Sequence, residues 1–181
     1  MGVNLDSTVI GYCSVSSPIG PLFLASTVKG VCLVEFGTEQ QRLPGLLTWS
    51  KKYMGSVNIE LNEQMNQPVA EQLAEYFAGQ RQIFELPIDL YGTVFQKQVW
   101  NQLSRIPYGQ TRSYKQIAVA MGKETAVRAV GGANNKNPIS IIIPCHRVIG
   151  ANGSLVGYGG GLAIKEYLLS LEGILPTSQI G

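Results

Sequence analysis

Residues 113–135 read SYKQIAVAMGKETAVRAVGGANN, and the fold of the second half of the chain turns on them. Ser113 is a helix-capping residue type, and Ile117, Ala118 and Met121 then recur at helical spacing, so the pattern predicts a short helix over Tyr114–Met121. Gly122 can take the left-handed conformation that ends it. A turn follows, and a second helix is expected from Ala126 to about Asn135. Two short helices joined so tightly form a helix-turn-helix candidate. The second helix is unusual, because Ala126, Ala129, Gly131, Gly132 and Ala133 leave it nearly without bulk. That composition lowers helix propensity, so something must approach the backbone closely. DNA is one candidate, with Arg128 the long side chain on a small-residue surface. Tight packing against another helix is the other.

Upstream of this motif, Phe95, Val99 and Leu103 stand four apart and Ile106 closes the stripe before Pro107-Tyr108-Gly109. This predicts a core-building helix starting near Thr93. The first part of the chain reads differently. Val9–Val15, Pro21–Thr27 and Val31–Phe36, separated by turn signals at Ser16–Gly20 and Lys29-Gly30, suggest a small antiparallel meander. A helix fits Gln67–Phe77, and Pro87–Gly92 reads as a link. The expected fold class is therefore α/β in the α+β sense. An N-terminal antiparallel sheet with a helix would occupy residues 1–90, and a mostly helical domain residues 91–181.

Charge divides the same way. Residues 1–90 hold five Lys/Arg against nine Asp/Glu, a net of −4, whereas residues 91–181 hold nine against three, a net of +6. The second half is the candidate for contact with a polyanion, although a solvated basic face is the simpler alternative. No stretch approaches the roughly 18 apolar residues of a membrane span, and the N-terminus does not read as a signal peptide. A soluble protein of the cytoplasm, or of the nucleus in a eukaryote, is expected. Cys13, Cys32 and Cys145 are widely spaced with no CxxC pair, which argues for free thiols over a disulfide framework or a cysteine-only zinc site.

A β-branched run, Ile139–Ile143, ends at Pro144-Cys145-His146-Arg147-Val148. The expected structure is a buried strand that delivers a cysteine and the single histidine of the chain to a bend. Cysteine attacks as thiolate, and its proton must be drawn off by a base or its charge favoured by a cation or helix N-terminus. His146 is the one imidazole available. Neighbours on an extended segment point apart, so a bridging water is expected between them. Glu172 ends a helix expected over Leu162–Leu171, where the helix dipole disfavours an acid by roughly 0.3–1 kcal/mol unless a donor such as His146 offsets it. The glycine-rich stretch Asn152–Gly161 reads as a lid over a flat ligand, with Tyr158 able to stack on a base and glycine N–H groups able to bond its edge, or as a mobile surface loop.

Taken together, Ile143-Pro144-Cys145-His146-Arg147-Val148 resembles the signature of the O6-alkylguanine-DNA alkyltransferases, or methylated-DNA–protein-cysteine methyltransferases. The likeness runs through Gly92–Gln96, Tyr108-Gly109, Ser113-Tyr114, Arg128–Gly131, Asn137-Pro138, Gly157-Tyr158 and Lys165 to Glu172-Gly173. The first half matches only loosely, through Ser17–Gly20. The resemblance implies repair of double-stranded DNA carrying alkylated guanine, by a single irreversible transfer of the alkyl group to Cys145. It further implies activation of Cys145 through water by His146 and Glu172, a minor-groove recognition helix, and Arg128 in the space of the extruded nucleotide. Tyr114 would promote flipping and bond the guanine, and Asn137 would order the turn before the cysteine. Ser113, Ala129, Val148, Tyr158, Gly159 and Gly160 complete the implied DNA and base contacts. Many members carry Ser where this chain has Gly159, whose N–H can still meet O6. No cofactor and no metal are expected, since no histidine lies outside the active site, and a monomer is expected. Two rivals stand beside this reading. A helix-turn-helix regulator or damage sensor would not need a thiol beside the sole histidine, and a papain-like hydrolase places its histidine far from its cysteine.

Overall fold

The computed structural model describes residues 9–176 and forms two compact units, one through Tyr91 and one from Gly92. In the first, β1 (Val9–Val15), β2 (Leu22–Thr27) and β3 (Gly30–Phe36) form the expected antiparallel meander, with Gly11 opposite Ser26 and Leu24 opposite Val34. A fourth strand, β4 (Asn58–Leu61), joins the other edge of β1 in parallel, so the order is β3-β2-β1-β4 and the sheet is mixed, not purely antiparallel. A parallel neighbour needs a crossover. Helix α1 (Glu39–Met54) supplies it.

Side-chain alternation sends the two faces of the sheet to two helices. Ile10, Phe23, Ala25 and Leu33 pack on one face with Leu43, Leu46 and Trp49 of α1. On the other face lies α2 (Glu63–Phe77), which buries Val69, Leu73 and Tyr76. At the absent side chain of Gly11, Asn62 and Met65 come so close that a Cβ would stand 2.8 Å from each. Asn66, wholly buried, donates to the Gly11 carbonyl and accepts from Ser26 Oγ, which satisfies the amide. Helix α2 begins four residues before the expected Gln67, because the Asn62 side chain caps it by accepting from Met65 N–H at 2.9 Å. The link expected at Pro87 first runs along β3: Val31 N–H donates to Pro87 and Asp89 N–H donates to Val31.

The second unit is mostly helical. Thr93 and Gln96 cap α3 (Val94–Leu103) reciprocally, and Ser113 and Gln116 do the same for α4 (Tyr114–Ala120). Gly122 takes φ 65° and ends α4, and α5 (Val127–Asn135) follows after the turn. Trp100, buried on α3, donates its indole N–H to the Ala133 carbonyl at 2.8 Å and ties α3 to α5. A two-residue strand, β5 (Arg112–Ser113), pairs in parallel with β6 (Val148–Ile149), which leads out of the cysteine segment. Helix α6 (Leu162–Leu171) closes the unit. Among the described residues, no helix is long and apolar enough to cross a membrane.

Candidate active site

The run Ile139–Ile143 is not a strand. Ile139, Ile141 and Ile143 are buried as the apolar pattern demands, but the backbone turns: Ile142 N–H donates to Ser140 and Ile143 N–H to Ile139. Ile141 adopts φ 71°, a left-handed conformation that costs a β-branched residue of order 1–3 kcal/mol. Asn137 holds this conformation in place. Its Oδ1 accepts from Ile139 N–H, and its Nδ2 donates to the Ile143 carbonyl at 2.8 Å and lies 3.1 Å from Cys145 Sγ. One side chain therefore both shapes the turn and points a donor at the thiol.

Cys145 opens a single 3-10 turn, Cys145–Arg147, and is buried. Burial pushes its thiol pKa up; the Asn137 donor, the Cys145 and His146 backbone N–H groups and the charge of Lys165 oppose that. His146 is wholly buried, and its Nε2 stands 2.7 Å from Glu172 Oε1. Burial holds the imidazole below its ordinary pKa against the pull of Glu172, and the cations Arg147 and Lys165 push the same way. In the neutral ring, Nε2 then carries the proton toward the carboxylate, which leaves Nδ1 as a lone-pair acceptor. Nδ1 is buried and has no hydrogen-bond partner among the described residues.

Glu172 takes two further bonds from Arg147, whose Nε reaches Oε2 at 2.8 Å and Nη2 reaches Oε1 at 3.0 Å. Burial alone would raise the Glu172 pKa, but the His146 and Arg147 donors and charges outweigh it and hold the carboxyl at about 2. Arg147 also donates to the Ile106 carbonyl at 2.6 Å, and Tyr108 donates to Leu171 at 3.0 Å. The acid at the helix end is thus satisfied by the two side chains that follow the cysteine.

The outer face is built from α4, α5 and the glycine-rich loop. Gly131 lies beneath the Tyr114 ring, where an added Cβ would stand 3.8 Å away in ordinary contact and a longer side chain would meet the ring, and Ala133 is buried, so packing limits these two positions to small residues. It does not explain Ala129 and Gly132, which are exposed, nor does anything stand within 4 Å of a Cβ built at Gly132. Arg128, Lys115 and Lys136 are also exposed. Tyr114 directs its hydroxyl to the carbonyls of Val156 at 3.2 Å and Gly157 at 3.4 Å. Burial, and then the charge of Cys145, raise its pKa. Gly159 is exposed, while Tyr158 and Gly160 are half-buried in the same loop. Ser113 spends its hydroxyl on the α4 cap, and Val148 is buried with its carbonyl bonded to Lys165.

The structure therefore brings Cys145, Asn137, His146 and Glu172 into one connected site with Tyr114 and Lys165 electrostatically coupled to it, whereas Arg128 and Ala129 stand on the exposed face of α5. Two participants carried no specific role in the sequence reading, Arg147 as a partner of Glu172 and Lys165 as a buried cation. A signal for both existed. Lys165, Leu168, Leu169 and Glu172 recur at i, i+3, i+4 and i+7, so two charged residues share the core face of α6 and must find partners there.

Residues 94–174 match the 6-O-methylguanine DNA methyltransferase DNA-binding domain, and residues 10–90 match the ribonuclease-like domain of the same proteins. The methylated-DNA–protein-cysteine methyltransferase of Methanosarcina barkeri is 49% identical over 161 residues, which cover 89% of this chain and 96% of that one. The chain belongs to this family. The inducible methylated-DNA–protein-cysteine methyltransferase of Bacillus subtilis is 46% identical over 83% of each chain. Among solved structures, Mycobacterium tuberculosis OGT in complex with DNA is similar at a TM-score of 0.75, with 41% identity over 91% of this chain and 92% of that one. The methyltransferase family match takes in the first half as well, where residue motifs alone tied only Ser17–Gly20 to it. In this member of the methylated-DNA–protein-cysteine methyltransferases, Cys145, its network and the exposed face of α5 all fall within the stretch matched to the DNA-binding domain.

Proposed function

We propose that this protein repairs double-stranded DNA by direct reversal, moving a methyl or larger alkyl group from O6 of guanine irreversibly to Cys145. The observation that carries the reading is the pairing of Cys145 with a neutral, fully buried His146 whose Nε2 is committed to Glu172 and whose Nδ1 is left as an acceptor. A carboxylate behind Nε2 and an acceptor nitrogen at Nδ1 is the arrangement a general base needs.

The Cys145 proton passes through a bridging water to His146 Nδ1, and Glu172 stabilises the resulting imidazolium. The thiolate sulfur attacks the alkyl carbon in line; the new S–C bond forms as the C–O6 bond breaks, and its electron pair leaves with the guanine oxygen. Donors from Tyr114 and the Gly159 backbone meet the developing charge. The product is a thioether with no step that regenerates the thiol, so each molecule acts once and needs no cofactor. A base inside the duplex cannot reach Cys145, so it is flipped out. The bare surface at Ala129 and Gly132 lets α5 approach the minor groove, Arg128 fills the vacated space, and Ser113, Val148, Tyr158 and Gly160 border the nucleotide. The protein acts as a monomer in the cytoplasm, or in the nucleus of a eukaryote.

The test is incubation of the purified protein with a duplex containing O6-methylguanine, followed by mass spectrometry of the Cys145 peptide. A stoichiometric gain of one methyl group is expected. Binding without modification, and with the lesion intact, would overturn the reading in favour of a damage sensor.

A further inference from the structure

Lys165 puts an ammonium where an apolar side chain would fill the same space more cheaply. It is wholly buried on the core face of α6, and it makes no salt bridge among the described residues. Its acceptors are two backbone carbonyls: Val148, just past the active-site turn, at 2.5 Å, and Val156, in the glycine-rich loop, at 3.0 Å. The Val156 carbonyl also receives the Tyr114 hydroxyl. Within the loop, backbone bonds close its two ends, Gly150 N–H to Ser154 and Gly161 N–H to Tyr158. Its middle is held to the rest of the unit by side-chain donors from α4 and α6. Desolvation of a lysine without a carboxylate is costly, and it pulls this pKa down to about 8. Such a residue stays where its donors and its charge are both used. The groups that couple to it electrostatically are Cys145 and His146 on the 3-10 turn: its charge favours the thiolate and disfavours the imidazolium.

We propose that Lys165 is a positioning residue, a latch that holds the loop 152–161 against the active-site turn while presenting its charge to Cys145, so that one ammonium sets both the pocket wall and the thiol environment. Its consequence for repair rests on the alkyl-transfer reading; its test does not. Lys165→Met keeps the length and apolar stem but removes donors and charge. In the free protein, amide hydrogen exchange of the peptide spanning 152–161 is expected to rise roughly tenfold or more, as loss of charged hydrogen bonds predicts. The pH profile of Cys145 alkylation by iodoacetamide, resolved by peptide mass spectrometry, is expected to move to higher pH. Lys165→Arg, which keeps a donor and a charge, is expected to shift both less. Loop exchange within about twofold of the parent protein, or an unmoved thiol profile, would overturn the latch. Should Lys165→Met fail to fold, Lys165→Gln keeps polar donors but removes the charge, and an unmoved Cys145 alkylation profile in that variant would overturn it equally. A latched loop with no methyl transfer from O6-methylguanine would instead refute the proposed function and leave the latch standing.

Discussion

Glu172 Oε1 accepts from His146 Nε2 at 2.7 Å and from Arg147 Nη2 at 3.0 Å, so a single carboxylate oxygen is shared by the imidazole and the guanidinium. Arg147 keeps the carboxylate ionised in the interior, and the ionised carboxylate fixes the tautomer of His146. The arrangement needs all three side chains, because removal of Glu172 or Arg147 leaves a buried charge uncompensated and removal of His146 takes a donor from Glu172 Oε1.

Glu172→Gln therefore lowers both stability and reactivity. Breaking a buried pair costs about 3–5 kcal/mol, read from the urea midpoint at pH 7. Transfer to Cys145 at saturating duplex is expected to fall by about 10- to 100-fold, consistent with the loss of an oriented base.

The same carboxylate gives the protein a pH signature. The folded pKa of about 2 lies below the ordinary glutamate value, so its contribution is present above the unfolded pKa and is lost as pH falls toward 2. At about 1.4 kcal/mol per pH unit of depression, the amount is on the order of 3 kcal/mol. The stability gap between the parent protein and Glu172→Gln is expected to shrink between pH 5 and pH 2, as followed by urea titration at each pH. A gap independent of pH would contradict it.

Asn137→Ala removes the donor to Cys145 and the bonds that shape the turn around Ile141. A destabilisation of about 2–4 kcal/mol is expected, together with a Cys145 alkylation profile moved to higher pH. Chemical denaturation and iodoacetamide kinetics measure the two effects.

Arg128→Ala separates flipping from chemistry. The side chain is exposed, so stability is expected to change by less than about 0.5 kcal/mol. Single-turnover transfer from duplex is expected to fall roughly tenfold or more, while transfer from the free alkylated base is unchanged.

Gly132→Gln sets stability against binding. Gly132 lies in helix α5 with open space around it, so the substitution is expected to stabilise the fold by about 0.5–1 kcal/mol through helix propensity. Bulk on that face is expected to weaken duplex binding by about tenfold, measured by fluorescence anisotropy at fixed salt.

Much of this protein is local and was legible as such. Ser113 and Gly122 bracket α4 because a cap and a left-handed stop act within one turn of chain, and the small residues of α5 announce a close approach whatever approaches. Cys145 beside the sole histidine narrows the chemistry before any coordinate is known. Other features were not legible in the sequence. Helix α1 continues through Pro44, because Leu43, Leu46 and Trp49 gain burial against the sheet that outweighs one missing helix bond. Ile139–Ile143 has the composition of a strand, yet Asn137 satisfies its backbone groups in a turn. The decisive relationships lie far apart in sequence: His146 and Arg147 with Glu172, and Lys165 with Val148 and Val156. A buried charge has to find donors or acceptors somewhere, and periodicity can say that α6 carries two such charges inward. Which groups answer them depends on how the elements meet once water is excluded, and that belongs to the folded chain.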